Sequence, residues 1–205
     1  MNNTLEHLKL WRVPLALALS LIVLQASRLK PALEYSREAV YHGQIWRLLT
    51  GNLVHLGWTH LTRDLAGLGL IWALVFRDLT ERDAVWVLSV SALFVGIGLL
   101  LFDPAVTWYV GISGALFGLY TAGALRILRQ RRLFGIVLLL GMLAIIAWSL
   151  FAGGLPGEAT GLGGAVIPQA HLYGAIGGAL TLVGLELFPR LNARPGAGSD
   201  RARPE

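Results

Sequence analysis

The stretch Gly111-Ile112-Ser113-Gly114-Ala115-Leu116-Phe117-Gly118 is a run of small and apolar residues that opens a hydrophobic segment and carries one serine. Glycines before and after Ser113 allow another backbone or a neighbouring helix to approach the hydroxyl closely. Two interpretations fit this pattern. A buried nucleophile needs such access, whereas serine and glycine are also ordinary helix-packing residues in membranes, and packing is the commoner case.

The composition places the chain in a lipid bilayer. Its 205 residues are 55% hydrophobic and 14% charged, with a mean hydropathy of +0.63, which is too apolar for an ordinary soluble domain. We therefore predict a polytopic membrane protein. The chain has no cysteine, which excludes disulfides, thiolate nucleophiles and cysteine-ligated metals.

Six apolar segments, separated by short polar or Gly/Pro-containing links, predict six membrane spans. They are 13–27, 57–76, 84–102, 112–128, 133–151 and 167–188. The first is short enough to pass for a signal-peptide core, but no convincing cleavage site follows it, so we keep it as a span. The predicted fold is an all-α membrane bundle over residues 1–188, followed by a disordered cytoplasmic tail over 189–205.

The distribution of basic residues predicts the orientation of these spans. The links on the side of the two termini carry twelve Lys and Arg residues, and the links on the other side carry four. Because basic residues accumulate on the cytoplasmic side, both termini should be cytoplasmic. The net charge of +5 then reflects membrane topology, and we expect no nucleic-acid partner.

This topology brings three candidate catalytic groups to one level of the membrane. His60, Ser113 and His171 lie near the starts of the second, fourth and sixth spans, which all run from outside to inside. At about 1.5 Å per residue, Ser113 and His171 lie no more than roughly 10 Å into their helices. An ionisable residue inside a span is a functional hypothesis by default.

Four short motifs follow one another in a specific order and spacing. They are Trp46-Arg47, then His55, His60 and Asp64, then Gly111-Ile112-Ser113-Gly114, and then Ala170-His171-Leu172-Tyr173-Gly174. Each motif is weak alone, but the ordered set is specific. Over roughly residues 40–185, the set resembles the rhomboid intramembrane serine proteases.

The resemblance implies a Ser–His dyad, with Ser113 as the nucleophile and His171 as the general base and acid. It also implies that His60 donates to the oxyanion and that His55 helps to hold the site together. Gly111, in the same motif as the serine, joins these supporting residues. An aromatic residue at the position of Phe117 supports the histidine ring in this family. The resemblance implies no metal and no organic cofactor.

A serine and a histidine are sufficient for nucleophilic catalysis if their geometry is fixed. A serine hydroxyl becomes a good nucleophile when an imidazole takes its proton, and that imidazole can then protonate the leaving amine. Small-residue faces at Gly114 with Gly118, and at Gly174 with Gly178, predict that the fourth and sixth spans pack closely. The backbone amide of Ser113, together with His60, can then hold the oxyanion.

Asp64 departs from the common rhomboid pattern, which has an asparagine donor at this position. An ionised carboxylate would repel an oxyanion, so Asp64 must be protonated, paired or turned away. We expect it to pair with His60, four residues earlier on the same helix face, or with the adjacent Arg63.

The resemblance implies the function of an intramembrane serine endopeptidase in the bacterial cytoplasmic (inner) membrane, with its active site opening to the outer side. It would cleave membrane-anchored proteins near the outer end of their transmembrane segment. Thr50-Gly51-Asn52, Asp64 and the small size also look like the rhombosortase subgroup, whose substrates carry a C-terminal Gly-Gly motif, a membrane span and a basic end.

Other classes of protein fit the sequence less well. The chain has no His-Glu-x-x-His motif of a zinc protease and no membrane aspartate pair of an aspartyl protease. A transporter would require polar groups near the midplane of the membrane, whereas the polar groups of this chain cluster toward one face. The remaining alternative is an inactive rhomboid-like protein that binds and escorts membrane clients. Such proteins usually lack the serine or the histidine that corresponds to Ser113 or His171, and this chain has both.

The first link and the glycine-rich link before the sixth span differ in composition. For the glycine-rich link from Gly153 to Gly164, the resemblance implies a mobile cap over the site, and a plain flexible connection fits the sequence equally well. We expect Trp46-Arg47, together with Tyr41 and Trp58, to anchor the first link at the level of the lipid headgroups.

Overall fold

The protein is mostly helical. The structure, a computed structural model, describes residues 11–75, 78–152 and 166–192, with side chains described to residue 187. In chain order the elements are α1 (Arg12–Ala26), α2 (Lys30–Leu33), β1 (Tyr35–Ser36), α3 (Arg37–Tyr41), α4 (Arg47–Thr50), a 3₁₀ turn (Gly51–Leu53), α5 (Trp58–Val75), α6 (Glu81–Phe102), β2 (Trp108–Tyr109), α7 (Ser113–Gln130), α8 (Arg132–Ala152) and α9 (Pro168–Asn192).

Long helices occupy all six predicted segments, namely α1 and α5 to α9. Three of them are long and apolar enough to cross a membrane within the described ranges: α6, α8 and the Pro168–Leu187 part of α9. Helix α1 is apolar but shorter, with 15 residues. Helix α5 carries His60, Arg63 and Asp64 in its first two turns. That all six helices cross the membrane stays a prediction.

The last helix extends beyond the predicted domain boundary. Helix α9 continues to Asn192, four residues past the boundary that we predicted at 188. The predicted tail beyond Asn192 lies outside the described residues. The glycine-rich link, for which we left a mobile cap and a plain connection open, lies outside them too.

Backbone contacts between α7 and α9 form the centre of the bundle. A Cβ atom added to Gly174 would overlap the carbonyl group of Gly114, and one added to Gly178 would overlap the carbonyl group of Gly118. A Cβ on Gly118 would also overlap the hydroxyl of Ser91 on α6. The predicted close packing of these small-residue faces is confirmed, and it brings three helices together with little side-chain volume between them.

Larger apolar side chains fill the space around this contact. Trp72 and Leu68 of α5 pack in one buried cluster with Leu119 of α7 and Val87 of α6. Many apolar side chains on the outer surfaces of α6 and α8 are exposed, such as Leu140. An apolar exterior is what a lipid-facing helix presents to the hydrocarbon core.

The first link is a folded unit, held to the end of α6 by Arg37. Strand β1 pairs antiparallel with β2, with Tyr35 opposite Tyr109. The Arg37 guanidinium donates hydrogen bonds to the carbonyl oxygens of Leu99, Leu100 and Asp103, at distances of 2.5 to 2.9 Å. The last carbonyls of a helix have no intrahelical donor, so this arginine caps α6.

Arg47 has a different position from the one that we predicted. It is buried, and its guanidinium donates to the carbonyl oxygens of Pro31 (3.0 Å) and Glu34 (2.6 Å) and to the side chain of Gln44 (2.7 Å). The expected headgroup anchor is therefore wrong for Arg47. The irregular backbone of the link lacks partners for its carbonyls, and the several N–H donors of a guanidinium supply them. Trp46 is half exposed.

The opposite end of the bundle carries paired charges. Arg126 lies 3.6 Å from Asp83 and 3.5 Å from Glu186, and Arg131 lies 2.9 Å from Asp78. These arginines belong to the basic links from which we predicted the cytoplasmic side. The carboxylates join α6, α7 and α9 at the end of the bundle remote from Ser113.

Replacing Gly174 by alanine should destabilise the bundle, because the added methyl group has no space beside the Gly114 backbone. We expect a loss of about 1–3 kcal/mol in the free energy of unfolding, measured by thermal unfolding in detergent. Gly184→Ala on the same helix is the matched control, because a Cβ there meets nothing within 4 Å. Equal stability of the two variants would contradict the role of this backbone contact.

Candidate active site

Ser113 and His171 lie in hydrogen-bonding contact. Ser113 is the first residue of α7, and His171 lies in the first turn of α9. The Ser113 Oγ and His171 Nε2 atoms are 3.1 Å apart. In the tautomer with its proton on Nδ1, the imidazole accepts the serine hydroxyl proton at Nε2, as a general base requires.

The helix contact at the centre of the bundle sets this distance. A Cβ atom on Gly114, the residue after Ser113, would lie 2.8 Å from the carbonyl oxygen of Ala170, the residue before His171. Larger residues at this crossing would separate the two helices. Glycine at position 114 therefore permits the contact between the serine and the histidine.

Phe117 fixes the plane of the His171 ring. The two rings are stacked, with their centroids 4.4 Å apart and an angle of 15° between their planes. Phe117 lies one turn after Ser113 on α7, so one helix carries both the hydroxyl and the aromatic support. The stack restricts rotation of the imidazole, which keeps Nε2 directed toward the hydroxyl.

The carboxylate of Asp64 joins three parts of the site. Its Oδ2 atom accepts a hydrogen bond from the backbone N–H of Ile112 at 3.2 Å. The Nε2 atom of His55 lies 3.1 Å from the same oxygen, and the Nε2 atom of His60 lies 3.5 Å from it. The expected contact with His60 is present, and the second side chain on the carboxylate is His55 instead of Arg63.

His60 packs against the loop that precedes the serine. The Leu56 N–H donates to the Nδ1 atom of His60 at 3.4 Å, which leaves the ring proton on Nε2. Gly111 has a φ of +119°, and a Cβ there would lie 2.7 Å from His60 Cε1 and 2.9 Å from Nε2. Glycine is thus required at position 111 both for the backbone conformation and for the space that His60 occupies.

Tyr109 is a supporting residue that the sequence analysis missed. Its hydroxyl donates to the carbonyl oxygen of Gly111 at 2.7 Å, and the Gly111 N–H donates to the carbonyl oxygen of Gly51 at 3.2 Å. Burial, and to a lesser extent the charge of Asp64, raise the pKa of Tyr109 above its ordinary value. The phenol therefore stays a neutral donor. An aromatic residue two positions before Gly111 was the only signal in the sequence.

Tyr173 fixes the start of α9 on the end of α6. Its hydroxyl donates to the carboxylate of Asp103 at 2.5 Å. A Cβ atom on Gly98 would overlap the Tyr173 ring, so glycine provides the groove in which this ring lies. The contact positions the helical turn that carries His171.

A cavity of about 220 Å³ opens beside these residues. His60, Arg63, Ser113 and His171 line it, together with the 105–110 link and residues 166 and 167. A substrate segment that enters this cavity can reach the serine hydroxyl. Within the part of the chain that the structure describes, no group of three or more His, Cys, Asp or Glu residues is arranged to hold a metal ion.

The acceptor role of Asp64 can be tested by two substitutions. Asp64→Ala leaves the buried His55 ring and the Ile112 amide without their acceptor, so we expect a loss of about 1–3 kcal/mol in the free energy of unfolding. Asp64→Asn retains one acceptor oxygen and should lose clearly less stability in the same thermal unfolding measurement. Equal losses in both variants would contradict the acceptor role.

The support of His171 by Phe117 can be tested through the reactivity of Ser113. Aromatic contacts of this kind contribute about 0.5–1.5 kcal/mol, so Phe117→Leu should slow fluorophosphonate labelling of Ser113 by about two- to tenfold. Phe117→Tyr retains the ring and is the matched control. Labelling of Phe117→Leu at the wild-type rate would show that the stack does not support the imidazole.

Comparisons with known proteins identify the family of the chain. The model of the Rhomboid domain family matches residues 42–186. The chain is also 28% identical over 141 residues to the protein named "Putative rhomboid protease YdcA" of Bacillus subtilis (strain 168), which covers 69% of this chain and 67% of that protein. Together they support an integral multi-pass membrane protein with protease activity. Because the family model spans most of the chain, the chain belongs to the rhomboid family.

Proposed function

We propose that the protein is an intramembrane serine endopeptidase that cleaves membrane-anchored proteins through Ser113 and His171. The observation that carries this proposal is the 3.1 Å contact between the serine hydroxyl and the imidazole, at the edge of a cavity that a substrate can enter. Rhomboid proteases act on membrane protein substrates, and the family match supports the same class here.

The proposed reaction begins with attack of Ser113 Oγ on the scissile carbonyl carbon. His171 Nε2 takes the hydroxyl proton as the new C–O bond forms, and the carbonyl oxygen becomes an oxyanion. When the tetrahedral intermediate collapses, the C–N bond breaks and the imidazolium gives its proton to the leaving amine. Water then attacks the acyl-enzyme with His171 again as the base, which regenerates the serine.

The oxyanion needs preorganised donors beside the serine. Ser113 begins α7, so its backbone N–H has no acceptor within the helix. The Nε2–H group of His60 is the second proposed donor, and one donor of this kind typically contributes about 3–4 kcal/mol to transition-state stabilisation. In the resting site, His60 Nε2 lies 3.5 Å from Asp64, a long contact that the forming oxyanion can replace.

Asp64 acts in this proposal as an acceptor and not as an oxyanion donor. Asparagine, usual at this position in rhomboids, offers both an acceptor oxygen and a donor N–H₂ group. The carboxylate retains the first function, through the Ile112 amide and His55, and loses the second. The reaction would therefore depend on the Ser113 amide and His60 for its oxyanion donors.

The membrane arrangement belongs to the same proposal. Six spans with both termini in the cytoplasm would place the cavity near the outer surface of the bacterial inner membrane. The paired arginines and carboxylates at the opposite end of the bundle fit a cytoplasmic position there. A substrate span would enter laterally and unwind near its outer end, because only an extended backbone presents its carbonyl to Ser113.

We also propose that the substrates are rhombosortase-like, with a C-terminal Gly-Gly motif. The Thr50-Gly51-Asn52 run, which suggested this subgroup, packs behind the site. The Thr50 hydroxyl donates to the Leu33 carbonyl oxygen at 2.7 Å, and the Asn52 amide donates to the Ala92 carbonyl oxygen at 3.1 Å. Glycines at the cleavage point would ease both unwinding of the substrate and its close approach to the serine.

The alternative is a catalytically inactive protein that binds and escorts membrane clients. Asp64 is the observation that favours it, because it removes a donor from the proposed oxyanion site. The retained contact between Ser113 and His171 favours proteolysis, since a client-binding protein has no need of an activated hydroxyl.

Cleavage of a single-span substrate with a Gly-Gly border by the purified protein tests the proposal. Because neither dyad residue works alone, Ser113→Ala and His171→Ala should each lower the cleavage rate by about 10³-fold or more. Ser20→Ala in α1 and His42→Ala in the first link are matched controls away from the cavity, and both should cleave at the wild-type rate.

The result has three distinguishable outcomes. If the wild type cleaves the Gly-Gly substrate and only the two dyad variants fail to do so, the result supports both the dyad and the Gly-Gly substrates. Cleavage of an ordinary rhomboid substrate alone supports the protease and rejects the Gly-Gly preference. If the folded wild-type protein cleaves neither substrate, the client-binding alternative replaces the protease.

A further inference from the structure

The cavity beside Ser113 contains an arginine that has no ion-pair partner among the residues that the structure describes. Arg63 is exposed and lines the cavity together with Ser113 and His171. Among the described residues, no carboxylate oxygen lies within 4.0 Å of its guanidinium, and no hydrogen bond from it to another residue is formed. The donors of a guanidinium in a concave, partly enclosed site favour an anionic ligand.

The neighbouring carboxylate does not neutralise Arg63. Asp64 is the adjacent residue and also lines the cavity, but its Oδ2 atom accepts from the Ile112 amide and contacts the two histidines His55 and His60. The side chain of Asp64 is 9% exposed, so its carboxylate is turned into the protein. The positive charge of Arg63 therefore faces the cavity uncompensated by its neighbour.

Other arginines in the described part of the chain have partners within the fold. Arg37 and Arg47 donate to backbone carbonyls of the first link and of α6, and Arg126 and Arg131 pair with carboxylates at the other end of the bundle. Arg63 makes neither kind of contact. The other described residues that line the cavity, beyond the histidines and Asp64, are neutral, such as Val106, Thr107 and Ile167.

We propose that Arg63 is a specificity-determining residue that binds the carboxylate of an Asp or Glu side chain in the substrate, close to the scissile bond. This inference rests on the proposed protease function and names a feature of its substrates. Arg63 lies three residues after His60 on α5, so the two side chains project from the same helix face about 5–6 Å apart at Cβ. An extended chain advances about 3.3 Å per residue, which places the acidic residue within about two positions of the bond that is cleaved.

The experiment is a charge-swap cycle on the single-span substrate. Substrates carry Asp, Asn or Lys at each of the two positions on either side of the cleaved bond, and kcat/KM is measured for the wild type and Arg63→Glu. At one position we expect the wild type to prefer Asp over Lys by about three- to tenfold, the size typical of partly exposed ion pairs. Arg63→Glu should invert this ratio, and salt should reduce it in both proteins.

Two further variants make the test independent of folding defects. Arg63→Gln removes the charge with little change in shape and should bring the Asp-to-Lys ratio close to one. Arg28→Glu, in the exposed segment before α2, is the matched charge reversal outside the cavity and should retain the wild-type ratio.

The outcomes separate this inference from the function on which it rests. A wild type without a preference for Asp at any position overturns the inference, as does an Arg63 variant with the wild-type ratio. Both results leave the protease itself intact. A wild type that cleaves neither this series nor an ordinary rhomboid substrate overturns both, and in that case Ser113→Ala behaves like the wild type.

Discussion

The site depends on one backbone contact, at which α7 and α9 cross without side chains between them. Glycines 114 and 174 bring the two backbones so close that an added methyl group at either position overlaps its neighbour. Ser113 and His171 lie one and three residues from these glycines. Their 3.1 Å separation is therefore a consequence of helix packing, which in a lipid environment relies on close van der Waals contact because lipid tails are as apolar as the helices.

The second constraint is the shared acceptor beneath the site. One oxygen of Asp64 connects the segment before α5, the first turn of α5 and the loop that leads into Ser113. Each of these donors is buried or nearly so, and a buried donor without an acceptor is costly. A carboxylate oxygen accepts hydrogen bonds here, as the carbonyl oxygen of an asparagine can. The substitution is thus compatible with the architecture while it changes which groups are available to an oxyanion.

The arginines in the described part of the chain differ in the partners of their guanidinium groups. Arg37 and Arg47 complete the hydrogen bonding of irregular backbone, Arg126 joins helix ends through carboxylates, and Arg63 is exposed in the cavity. A count of basic residues in the links treats Arg37, Arg47 and Arg126 alike as markers of topology. The structure shows that Arg37 and Arg47, two of the four on the sparsely charged side, have partners within the fold.

The sequence by itself predicted the positions of the six long helices, because apolar periodicity and length are local properties, and it predicted the helix crossing from the spacing of Gly114, Gly118, Gly174 and Gly178. The order and spacing of the Ser and His motifs also indicated the family. Tertiary structure alone decided the contacts of Asp64 with His55 and the Ile112 amide, the burial of Arg47 and the hydrogen bond of Tyr109. These depend on hydrogen bonds between residues far apart in the chain, such as the one from Ile112 to Asp64, 48 residues away. No local pattern encodes such a bond, since its donor and acceptor meet only after the helices have packed.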